Sequence, residues 1–236
     1  MNELLLSYGN KYNEILGKTC LGEDDIASSA VLFKPESIKS GNPVPKRLDV
    51  YCIVAGLPLP EAITNYLQSI KLTISSILGD IPHYLVEDGN HGIELAVLKW
   101  PNETLQSNLV QDCVGFFDRH PFAVITCETY GIQVHSDGCI ILKSVDKEGG
   151  FRALRKSLLA EVGSMPSRQS SWVHIPIGRI LGPVPSEVLE QLKCFCDQTS
   201  LQENLRFKIS EFKLIHERQW YQVDRITLDS FVSRTS

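Results

Sequence analysis

The sequence predicts an α+β fold made of two similar halves. Three observations predict it. From Lys46 onward the chain is dominated by apolar, β-branched runs; single stretches of helical period separate them; and the order strand, helix, loop, strand occurs twice. In the first half, RLDVYCIVAGL reads as a strand too apolar for an exposed edge. Pro58 and Pro60 close it and open a helix over PEAITNYLQSIKLTISSIL, where Ile63, Leu67, Ile70 and Ile74 recur at three- and four-residue steps. Gly79 to Pro82 stops that helix. HYLVEDGNHG follows as an irregular connection, and IELAVLKW reads as the second strand, ended by Pro101-Asn102.

The second half repeats the plan. FAVITCETYGIQV and GCIILKSV read as strands joined by a turn at Ser136-Asp137-Gly138, and FRALRKSLLAEV reads as an amphipathic helix. SWVHIPIGRIL reads as a strand and PSEVLEQLKCFCDQT as a helix with Pro185 at its start. LRFKISEFKLIHERQWYQVDRITL closes the chain as two alternating strands with a turn at Glu217-Arg218-Gln219. Ahead of all this, residues 2–16 carry helical spacing, and the Gly- and Pro-punctuated stretch to Pro45 reads as loop. The expected organisation is an N-terminal extension, 1–45, and one bilobal domain, 46–236, with lobe one at about 46–112 and lobe two at about 113–236.

Composition excludes several classes. With 236 residues, 43% of them hydrophobic, the chain can bury a substantial core. A net charge of −5 gives no bulk attraction for duplex DNA, and Arg152, Arg155, Lys156 and Arg168 read as a solvated face. No run approaches a membrane span, and the N-terminus lacks the pattern of a secretory signal. Seven cysteines, an odd number without framework spacing, read as reduced thiols of a cytoplasmic protein. Cys194 and Cys196 fall in a helix, where i and i+2 point apart, so they form no metal clamp.

The chemistry concentrates in SWVHIPIGRIL, which puts His174 inside an apolar strand ahead of Pro176, Gly178 and Arg179. This segment is similar to the apolar-His-x-Thr-Leu-Gly/Ala-Arg strand of the two-histidine (2H) phosphoesterase superfamily, matching at His174, Gly178 and Arg179. RLDVYCIVAGLPLPEAI resembles that family's opening strand with its proline-led helix, and FKISEFKLIHERQWYQVDRI its final hairpin. The resemblance spans roughly 46–232. It implies two pseudo-symmetric lobes, each an antiparallel-rich sheet with helices on its outer face, around a central cleft. It also implies metal-independent, cofactor-free chemistry on a 2′,3′-cyclic phosphate or a related nucleotide or RNA end. Residues i and i+2 of a strand share a face, so a His with a Thr two positions on offers a proton-transfer group and a hydroxyl to one phosphate. A second copy across the cleft supplies the opposite acid/base partner, and imidazole suits both roles near neutrality.

This chain departs from that pattern twice. Pro176 replaces the hydroxyl residue and brings no amide N–H either. On the first-lobe strand Glu94 takes the histidine position and Ala96 the threonine position. Three residues can supply the missing partner: His91 if Gly92 kinks the strand, His83 from the preceding loop, or Glu94 itself as a base. Arg179 is the candidate for neutralising phosphate, although strict alternation places it on the face opposite His174. Trp172 and Tyr84 are candidates for packing on the ligand. His120, His135 and His216 read as structural or exposed. Two functions follow: a metal-independent phosphodiesterase, and a degenerate member of the fold that binds a phosphorylated ligand or a protein partner without turnover.

Overall fold

The computed structural model describes residues 15, 17–201 and 204–234; the helix expected over 2–16 lies outside them except at Ile15. Short helices α1 (Glu23–Ala30) and α2 (Pro35–Lys39) precede β1 (Arg47–Gly56), α3 (Glu61–Leu78), β2 (His83–Leu85) and β3 (Gly92–Lys99). Then follow α4 (Leu109–Arg119), β4 (Ile125–Val134), β5 (Cys139–Asp146), α5 (Gly150–Glu161), β6 (Ile175–Ile180) and α6 (Ser186–Leu201). Strands β7 (Arg206–Ile209), β8 (Glu211–Gln219) and β9 (Arg225–Val232) end the chain.

The strands form two antiparallel sheets, ordered β3-β1-β8-β9 and β2-β6-β5-β4-β7. The repeated unit is visible as β1–α3–β3 and β5–α5–β6, in each of which the two strands pair directly. One large core packs the helices against one face of each sheet. Ile63, Leu67, Ile70 and Ile74 of α3 meet Ile53 and Ala55 of β1, while Phe151 and Leu158 of α5 meet Ile140 and Leu142 of β5. Smaller apolar clusters occupy the opposite faces. No described helix is long and apolar enough to cross a membrane.

Several elements differ from the sequence expectation. The lobes are not contiguous in the chain: β8 and β9 return to β1, and β2 joins β6, so a boundary near residue 112 does not separate the sheets. Such exchanges satisfy edge strands that local pattern cannot pair. Residues 23–39 are not loop but two short helices and their connection, because Ile26, Ser29 and Phe33 share one side and are buried. Helix α4 lies in a stretch with no assigned element, although Leu109, Cys113, Phe116 and Phe117 carry helical spacing. The closing segment holds three strands, and its turn falls at Trp220–Gln222 rather than at Glu217–Gln219. Residues 171–174 precede the ladder, which starts at Ile175.

Gly178 shows why β6 needs its glycine. A Cβ there would collide with the Tyr84 carbonyl oxygen of β2. Gly178→Ala is expected to pry β2 from β6 and destabilise the protein by roughly 2–3 kcal/mol, the range of core overpacking; urea unfolding checks it.

Candidate functional site

Register decides which side chains share the helix-free face of the first sheet. Val50, Cys52 and Val54 of β1 form one cluster with Val97 and Ile215. Glu94 is paired with Val54, and Glu217 with Val50, so both carboxyls stand on that face with Cys52 between them. On the second sheet, Cys139 and Ile141 cluster with Trp172. Pro176 is paired with Ile141 and Arg179 with Cys139, because a register shift near Ile177 inserts one extra residue. Strict alternation therefore fails here: the bulge turns Arg179 to the same face as Pro176.

The two faces are joined along β3 and β6. Arg155 of α5 is 5% exposed, not part of a solvated face, and its guanidinium donates to three carbonyls. They are Leu95 O (2.7 Å), Glu94 O (2.6 Å) and Trp172 O (2.9 Å). One cation thus ties the centre of β3 to the approach to β6. Gln169 adds a second tie, accepting from Val97 N at 2.9 Å and donating to Val97 O at 2.7 Å along the free edge of β3. A third is His91, whose Nδ1–H donates to Pro176 O at 2.9 Å.

His174 is partly exposed and meets Trp172 edge-on, with ring centroids 5.8 Å apart. Its Nδ1 is buried without a hydrogen-bond partner among the described residues. Burial, with the Arg155 cation adding to it, pushes its pKa down to about 4, so the imidazole is neutral at pH 7. Glu94 is shifted the other way: burial raises its pKa, against the pull of Arg155, the Ser170 amide and Arg168. Burial also lifts Glu217 to about 7, although the Gln222 N–H donates to it at 2.9 Å. A neutral imidazole just before β6 and two carboxyls of the first sheet whose pKa values burial raises are therefore the titratable groups of the candidate site.

The remaining sequence candidates fall as follows. His91 is 2% exposed, and burial pushes its pKa down to about 4; its bond to Pro176 makes it a brace between the strands. His83 lies in β2 and donates from Nδ1 to Ile81 O at 2.7 Å. Trp172 is buried against His174, His135 and Ile141 rather than open for stacking. Tyr84 is not open for packing on a ligand but buried between Phe33 and Tyr221, at centroid distances of 5.2 and 5.1 Å. Arg179 is bonded to Tyr221 Oη (2.6 Å), Ser29 Oγ (2.7 Å) and Asp137 Oδ2 (3.2 Å).

Two further groups lie nearby. His135, expected to be structural or exposed, is buried edge-on to Trp172 with ring centroids 6.3 Å apart, and burial lowers its pKa to about 4. Its place at the end of β4, beside the Ser136-Asp137-Gly138 turn, is the only sequence cue. Glu217 reads as a turn residue, and only the register with Val50 puts it in the site. Arg168, exposed and stacked 4.4 Å over Trp100, stands within electrostatic reach of Glu94. No group of three or more His, Cys, Asp or Glu able to hold a metal occurs among the described residues.

No family model matches the chain, and no curated protein sequence matches it. Solved structures do. TT0787 of Thermus thermophilus superposes with a TM-score of 0.56 at 15% identity, covering 78% of this chain and 98% of that one. Escherichia coli LigT in its apo form gives 0.55 at 12% identity, covering 80% of this chain and 100% of that one. LigT complexed with 3′-AMP gives 0.55 at 13% identity, with the same coverage. A structure described as a phosphoesterase gives 0.53 at 12% identity, covering 80% and 99%. The chain therefore shares the fold of TT0787 and LigT, two antiparallel sheets with helices packed on them, as the resemblance of its His174–Arg179 segment leads one to expect.

Proposed function

We propose that the chain is a metal-independent phosphodiesterase acting on a 2′,3′-cyclic phosphate or a related nucleotide or RNA end. His174 is its base and Glu94 its acid. The observation that carries the reading is the Arg155 clamp, which holds the backbone of Glu94 and of Trp172, two residues before His174, on one guanidinium. Water attacks phosphorus while neutral His174 takes its proton. The P–O2′ bond breaks, and the proton on Glu94 passes to the leaving oxygen. Arg168, bound to no carboxylate among the described residues, is the cation that meets the phosphate.

His174→Ala is expected to lower turnover of 2′,3′-cyclic AMP by about two to four decades, and unchanged turnover refutes the assignment. The pH profile carries the sign of the pKa shifts. Activity falls below pH 4 as His174 takes a proton, and it falls on the alkaline side as Glu94 loses one. Two unperturbed imidazoles would instead place both limbs near 6.5.

A second reading has its own support. Pro176 supplies neither hydroxyl nor amide, and the three polar groups around Arg179 leave it no free fork for phosphate. On this reading the groove binds a phosphorylated ligand without turnover. Calorimetric binding of 3′-AMP together with no hydrolysis of cyclic nucleotides or cyclic-ended RNA selects it.

A further inference from the structure

We propose that the segment Glu23–Lys39 is a built-in occupant of the ligand face at the Arg179 end of β6, and that an anionic ligand reaches Arg179 only by displacing it. This rests on the reading of that face as part of a phosphate-ester site. Three contacts carry it. Ser29, fully buried, accepts from Arg179 Nη1 at 2.7 Å and donates from the same hydroxyl to the Asp137 carbonyl. An uncharged hydroxyl and the Asp137 carboxylate thus take positions where phosphate oxygens would meet the guanidinium. Phe33, 0% exposed, fills the space beside them against Tyr84 and Tyr221. Tyr221 in turn accepts from Arg179 Nε at 2.6 Å.

The rest of the segment is attached in a way that suits release. Ile26, Ser29 and Phe33 form a single buried side, while the acidic first turn, Glu23 to Asp25, is exposed or half-exposed. Backbone ties to the rest of the chain lie ahead of α1 and in the connection between α1 and α2, leaving α1 itself free of them. Leu21 bridges Val184 before α1, and Phe33 bridges Pro45 within a local hairpin, with Lys46 N donating to Leu32 O. Between these ties the segment joins no sheet, so lifting α1 breaks side-chain contacts and no strand ladder. The Tyr221–Gln222 turn beneath it holds two non-glycine residues at positive φ, 62° and 59°. Such conformations persist where surrounding contacts impose them, and the Arg179–Tyr221 bond and Phe33 packing are among those contacts.

The test uses the full chain. Arginine-specific modification by phenylglyoxal, mapped by mass spectrometry, compares Arg179 with the buried Arg155 in wild type, Ser29→Ala and Phe33→Ala. Calorimetry measures 3′-AMP affinity in the same proteins. Arg179 is expected to be protected in wild type and to react about tenfold faster in Ser29→Ala, what one charge-assisted hydrogen bond is worth, while Arg155 stays protected. 3′-AMP is expected to bind both variants more tightly than wild type. Equal reactivity of Arg179 in all three proteins overturns the proposal, as does wild-type binding of 3′-AMP that the variants leave unchanged or weaken. Should Phe33→Ala also expose Arg155, that variant has lost its fold and Ser29→Ala decides alone. If protection of Arg179 follows the segment but no protein binds 3′-AMP, the occupant stands and the phosphate-ester reading falls.

Discussion

Replacing Arg155 by methionine is expected to cost about 3–5 kcal/mol, at roughly 1–3 kcal/mol for each buried acceptor left without its donor. Methionine fills much of the volume, so packing is largely retained and the loss falls on hydrogen bonding. The carbonyls of Glu94, Leu95 and Trp172 would each lose the guanidinium as donor. The Arg155 guanidinium also lies 4.9 Å over the Phe151 ring, a contact methionine does not reproduce. For a chain of this size the loss corresponds to a fall in Tm of roughly 10 °C. Arg155→Lys should fall between the two, because an ammonium cannot span three carbonyls in the plane of a fork. Differential scanning calorimetry of the three proteins checks the order. A methionine variant as stable as wild type would show that β3 and β6 are held by other contacts. The same variant should lose activity beyond its loss of stability, since both proposed reacting groups hang from strands the clamp holds.

The second large effect is acid destabilisation. Burial lowers the pKa of His91, His135 and His174 from 6.5 to about 4 in each case. In the unfolded chain each takes a proton as pH falls through 6.5, while the folded protein resists until about 4. The unfolded state binds more protons in that window, so stability declines as the pH drops across it. Each of these histidines accounts for roughly 3.5 kcal/mol over the full window, at about 1.4 kcal/mol per pKa unit. Glu217 acts in the opposite sense. Its folded pKa of about 7 lies above the unfolded value, so its contribution is complete below about 4.5 and is lost as pH rises toward 7. Between 4.5 and 6.5 the histidine and glutamate contributions oppose each other; below 4.5 that opposition ends and the ion-paired carboxylates Asp25, Asp49, Asp88 and Glu128 begin to lose their contributions too. The loss is therefore expected to be steeper below pH 4.5 than above it. Urea unfolding at several pH values measures the slope. His91→Asn, which can still donate to Pro176 O, should flatten it by up to one proton. An unchanged slope in that variant would mean that His91 already carries its proton in the folded protein.

Much of the architecture is written in local pattern. The helix over Glu61–Leu78 follows from apolar spacing and flanking Pro and Gly, and β1, β3, β4 and β5 follow from β-branched runs, because those signals depend on a residue's own neighbours. His174 and the glycine of β6 are identifiable for the same reason. Other features are not, since they depend on residues far apart in the chain. Glu217 enters the site only through pairing with β1, and Arg179 faces it only through a bulge that no alternation rule predicts. Arg155 looks like a solvated helix charge until β3 and Trp172 close over it. Ser29 and Phe33, in a stretch punctuated like loop, gain meaning only from Tyr84, Tyr221 and Arg179. The sequence by itself determined two strand–helix–strand units and a histidine at the entry to one strand. Only the tertiary structure decided which charges are buried, which are bound, and which carboxyls share one sheet face. Burial and cross-strand register are properties of the packed chain and are absent from any local window.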